Sequence, residues 1–114
     1  MKTVILGVRA IEEVTADILR HANAEADVTP RIDFETHEAL WSLLNEKRWD
    51  ILKAMAGAGP LSIREVARRV ERDVKAVHGD VTALIQSGVV DRHEGGVVFP
   101  YDTIHVDYTL HAAA

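Results

Sequence analysis

The sequence predicts an α+β domain, and three patterns carry that prediction. Apolar residues recur at helical spacing in three close-set blocks between residues 45 and 87. Beyond Gly88 the period shortens to two, with Glu94-Gly95 where a hairpin would turn. A β-branched run, Thr3-Val4-Ile5-Leu6-Gly7-Val8, opens the chain and reads as a short strand.

The elements follow in order. Ile11, Val14, Ile18 and Leu19 share one face, so residues 10–24 read as a helix. Asp27 and Pro30 mark a loop. Arg31-Ile32-Asp33-Phe34 alternates and reads as a second short strand. Thr36 is an N-cap for a helix carrying Ala39, Leu40, Leu43 and Leu44. Asn45 caps the next, whose apolar face is Trp49, Ile51, Leu52, Met55 and Ala56; Gly57-Ala58-Gly59-Pro60 ends it. Ser62-Ile63-Arg64-Glu65 reads as a capping box that starts a helix over 62–70. After a turn at 71–73, Asp73 caps a helix with Val74, Val77, Val81, Leu84 and Ile85 on one face. Residues 89–93 and 96–99 then flank the hairpin turn. Finally Ile104, Val106, Tyr108 and Leu110 alternate with Thr103, His105, Asp107 and Thr109, a strand with one buried face.

Three helices (about 46–56, 62–70 and 73–87) followed by a hairpin is the order of a winged helix-turn-helix. Residues 31–114 form that unit, closed by a C-terminal β-strand, and residues 1–30 form an N-terminal strand-helix arm for dimerisation or partner contact. The helix over 73–87 takes the recognition position. Its non-core side chains, with Arg72 just before it, are Arg72, Lys75, Ala76, His78, Gly79, Thr82, Ala83 and Gln86: small or hydrogen-bonding, suited to approaching base edges. Ser62, Arg64, Arg68 and Arg69 on the preceding helix are placed for the phosphate backbone, and Arg92 and His93 for contact through the wing.

Composition narrows the function classes. The chain has 114 residues, no cysteine and a net charge of −5. Disulfides, thiolate nucleophiles and cysteine zinc sites are excluded. No apolar run is long enough for a membrane helix and no export signal is expected, so the protein reads as cytoplasmic. Residues 61–92 hold six basic and five acidic side chains, so the acid is concentrated outside one locally basic segment. One copy neutralises few phosphates, which makes specific binding a matter for two copies.

Other chemistry finds little support. His21, His37, His78, His93, His105 and His111 are scattered without a metal-ligand spacing; only His105 and Asp107 share a strand face. No catalytic residues, cofactor or metal are expected: Ser62 is taken by its cap, and Gly57 and Gly59 precede a proline and form no phosphate loop. Trp41 and Trp49 read as core anchors, and Tyr101 and Tyr108 as closing the sheet.

Gly57 to Val70, followed by Arg72-Asp73-Val74-Lys75-Ala76-Val77-His78-Gly79-Asp80-Val81, resembles a MarR-like family of small winged-helix DNA-binding proteins of bacteria and archaea. Leu44 to Leu52 and Tyr101 to Asp107 share the resemblance, which covers about residues 31–110; residues 1–30 match only in layout. Several members are similar to antitoxins encoded beside a small toxin of the TumE type. The resemblance implies a homodimeric repressor of transcription, an autorepressing antitoxin with a cognate toxin protein as partner. By the same resemblance Arg72, Lys75, Ala76, His78 and Gly79 open the recognition helix, and Arg68 and Arg69 form the basic end of the helix before it. The alternative is a winged-helix protein-interaction module that never binds DNA.

Overall fold

The computed structural model describes residues 2–9 and 29–109. The helix expected over 10–24 lies outside them, as does Leu110. The described residues are a mixed α/β structure of four helices and five strands. β1 (Thr3–Val8), β2 (Arg31–Phe34) and β5 (Thr103–Asp107) form a parallel sheet in the order β2-β1-β5, with Leu6 between Ile32 and Val106. Between β2 and β5 come α1 (His37–Leu43), α2 (Glu46–Met55), α3 (Ile63–Val70) and α4 (Val74–Gln86). The hairpin of β3 (Asp91–His93) and β4 (Gly96–Val98) follows them.

Local chemistry sets each helix start. Thr36, Asn45, Ser62 and Asp73 each accept a backbone N–H two or three residues on, from Ala39, Arg48, Glu65, and from both Lys75 and Ala76. Each such cap contributes about 1 kcal/mol. The Ser62 capping box forms only half: the Glu65 carboxylate accepts from Arg68 and Arg69 instead of reaching back to Ser62, because two guanidiniums offer stronger charged donors. α3 stops at Glu71, which takes the left-handed conformation (φ 55°), uncommon outside glycine and asparagine.

One core runs through both layers. Val4 and Leu6 of β1 are fully buried with Leu40, Ile51, Leu52, Met55, Val66, Val77, Val81, Leu84, Val89 and Phe99. β1, which falls within the 1–30 segment, is thus the central strand of the sheet and part of this core. The other sheet face is largely polar around a central Ile5. There the Arg31 guanidinium lies over Gly7, where a Cβ would stand 2.6 Å from it, and pairs with Asp33 (2.9 Å) and Asp107 (3.5 Å). Arg9 also reaches Asp33 (3.2 Å). The hydrogen bond to Asp33, with support from Asp107, pushes the Arg31 pKa up despite some desolvation.

Trp41 departs from its expected core position and is 47% exposed. α1 turns Leu40 and Leu44 inward, which leaves Trp41 on its outer side. Trp49 packs against the core, and Tyr101 stacks edge-on against Phe99 (5.4 Å).

Candidate nucleic-acid interface

α3, a three-residue turn and α4 make a compact unit. Val66 and Ala67 face the core from one helix, and Val77, Val81 and Leu84 from the other. The hairpin is tied to the start of this unit. Leu61 and Val97 exchange two backbone hydrogen bonds of 2.8 Å, an antiparallel bridge just ahead of α3. Gly96 permits the contact, since a Cβ there would run into the Leu61 carbonyl. Gly95 supplies the turn with φ +80°.

The outer surface of α4 carries Lys75, Ala76, His78, Gly79 and Gln86, all exposed, with Thr82 half-buried. The Thr82 hydroxyl donates to the His78 carbonyl (2.7 Å). Gly79 is unusual in place. It sits mid-helix, where glycine costs about 1 kcal/mol relative to alanine. Among the described residues a Cβ there would meet nothing within 4 Å, so their packing does not call for its absence.

The expected basic residues divide into two groups. Among the described residues, the side chains of Arg64, Lys75 and Arg92 are exposed and have no hydrogen-bonding or ion-pair partner. The others are engaged. Arg68 and Arg69 both bind Glu65, and Arg69 also donates to the Ala54 carbonyl of α2 (3.4 Å). The hydrogen bond from Arg68, then that from Arg69, lowers the Glu65 pKa to about 2, and the Arg68 pKa rises through the same bond. Ser62 gives its hydroxyl oxygen to the Glu65 N–H and is committed to the helix start.

Arg72 is folded inward. Its Nη2 pairs with Asp80 Oδ2 (2.9 Å), while Asp80 Oδ1 accepts from Arg48 Nε (3.0 Å). Arg48 Nη1 in turn donates to the carbonyls of Ser42 and Leu43, at the end of α1. All three charged side chains are about one-fifth exposed or less. The result is a polar clamp running from α1 through α2 to α4 and the turn before it. Arg48 and Asp80 have no local pattern that marks them; the clamp exists only once the helices pack.

Arg64, Lys75 and Arg92 therefore supply free positive charge on α3, α4 and β3, and Ala76 and Gly79 a low surface between the side chains of α4. Such an arrangement can accept an anion or a narrow ridge, and offers no nucleophile paired with a base. Among the described residues no group of three or more histidines and carboxylates is placed to hold a metal ion. None of their helices is long and apolar enough to cross a membrane. A family model, HVO_A0114, matches residues 43–106, more than half of the chain. No curated protein and no solved structure matches it.

Proposed function

The chain belongs to the HVO_A0114 family, and we propose that it is a winged helix-turn-helix regulator of transcription that binds double-stranded DNA as a dimer in the cytoplasm. α4 is the recognition helix and β3-β4 the wing. The observation that carries this reading is Gly79: a mid-helix glycine with no packing role among the described residues, flanked by Lys75 and Ala76 on an exposed face. A major groove admits one helix, and small residues at the leading face let the backbone come close to base edges. Lys75 then reaches base or phosphate, Arg64 contacts phosphate from α3, and Arg92 does so from the wing. Arg72 acts differently from the other cations. Held by Asp80, it fixes the angle at which α4 is presented. The regulator's targets include its own promoter, where it acts as the antitoxin of a toxin-antitoxin pair, with the toxin as its protein partner.

Glu65 favours the interaction-module alternative, because it neutralises two arginines that a DNA-binding surface would otherwise use. Fluorescence anisotropy with the DNA upstream of the protein's own gene separates the two readings. Sequence-preferring binding that weakens linearly in log salt, and is reduced in Lys75→Ala with the fold intact, supports the regulator. Equal affinity for scrambled DNA, or no binding at low salt, counts against it.

A further inference from the structure

β5 is an edge strand. Its inner side pairs with β1, and among the described residues no strand pairs with its outer side. The Thr103 N–H donates to the Lys2 carbonyl (3.1 Å), which sets the phase of the ladder. The backbone groups of Thr103, His105 and Asp107 turn toward β1, and those of Ile104 and Val106 turn outward. Edges of this kind are normally blunted by proline, lysine or a bulge. Residues 103–107 contain neither proline nor lysine, carry one charge, Asp107 at the strand end, and pair with β1 in unbroken register.

We propose that the outer edge of β5 pairs antiparallel with β5 of a second copy, about a two-fold axis at His105. The two three-stranded sheets then become one continuous sheet. Full overlap of the five-residue strand centres the axis on its middle residue, His105. Ile104 of each copy then faces Val106 of the other, so the half-buried apolar sites meet each other twice, at positions whose outward backbone groups exchange hydrogen bonds. On the polar face Thr103 stands across from Asp107, and His105 lies diagonal to Asp107, so no two carboxylates oppose each other. An edge with this self-complementary pattern suits an isologous contact between identical copies. The proposal deepens the dimeric reading above, and its test is made without DNA so that the two stand or fail separately.

The sequence has no cysteine, so His105→Cys introduces a single thiol at an exposed position. Facing residues at the axis would bring the two Cα atoms to about 4.5 Å, within the span that a disulfide accepts. Sedimentation of the full chain should show a dimer. Mild oxidation should convert His105→Cys to a covalent dimer while Glu94→Cys, in the hairpin turn, stays uncrosslinked. His105→Glu, which sets like charges across the axis, should weaken self-association several-fold with unchanged circular dichroism. A monomeric wild type overturns the proposal. So does a dimer in which His105→Cys crosslinks no better than Glu94→Cys, or in which His105→Glu has no effect.

Discussion

Replacing Gly79 tests fold and function with opposite signs. Gly79 lies inside α4 and carries no positive φ, and among the described residues a Cβ there meets nothing within 4 Å. Gly79→Ala therefore gains helix propensity with no clash, about 1 kcal/mol. Unfolding entropy near 2.1 cal/mol/K per residue over a chain of 114 residues turns that into a rise in Tm of roughly 4 °C. Gly79→Leu should keep most of this gain, since leucine is nearly as good a helix former. Yet its side chain stands on the surface that α4 is proposed to present to DNA. Its affinity for the upstream DNA should fall by at least tenfold, about 1.4 kcal/mol, with Gly79→Ala between it and the wild type. Urea or thermal unfolding and anisotropy titration read the two effects. A stabilised Gly79→Leu protein that binds DNA like the wild type would refute the placement of α4 in the groove. A destabilised Gly79→Ala would refute the open helical geometry itself.

Further outcomes follow from the same geometry. Glu65→Gln should release Arg68 and Arg69, tighten DNA binding and steepen its dependence on salt, as measured by anisotropy at several ionic strengths. Glu65 also has a pH signature. Its carboxylate is held at about 2 against an ordinary 4.5, so protonation favours the unfolded chain, and the stability that it contributes is present above pH 4.5 and lost as pH falls toward 2. An acid titration followed by circular dichroism should show that loss diminished in Glu65→Gln. Asp80→Ala should destabilise by about 2 kcal/mol in urea unfolding, because it leaves Arg48 and Arg72 without their carboxylate in a largely buried place; Arg72→Ala should weaken DNA binding only as far as it loosens α4. Gly96→Ala should break the Leu61–Val97 bridge and cost about 1–3 kcal/mol, with hydrogen exchange at the Leu61 and Val97 amides accelerated first.

What was legible in the sequence was local. Thr36, Asn45, Ser62 and Asp73 mark helix starts because a capping side chain answers to N–H groups two or three residues away. Glu94-Gly95 marks the hairpin because glycine takes the positive φ that a tight turn needs, and β2 shows in the alternation of Arg31 to Phe34. The parallel pairing of Thr3 with Thr103 left no local trace: alternation gives a strand its faces but does not name its neighbours. Trp41 misled because a large apolar residue beside Leu40 and Leu44 looks like core, whereas α1 is only seven residues long and has room for few inward positions. Arg72 is readable as a cation just before α4 but not as the partner of Asp80, since the two stand eight positions apart, beyond the three- and four-residue spacing of helical pairs. Arg68 and Arg69 are legible as basic, while their shared neutralisation by Glu65 follows from helix spacing that competes with the capping box for the same carboxylate.

The central claim, that α4 enters DNA, is tested most directly by amide chemical shifts of the labelled protein during titration with the upstream duplex. The expected result is that the resonances of Lys75, Ala76, Gly79 and Thr82 move most, followed by Arg64 and Arg92, while those of Ile32 and Phe34 stay in place. Shifts that avoid α4 and gather on the sheet, or a duplex that leaves every resonance unmoved at low salt, would contradict it.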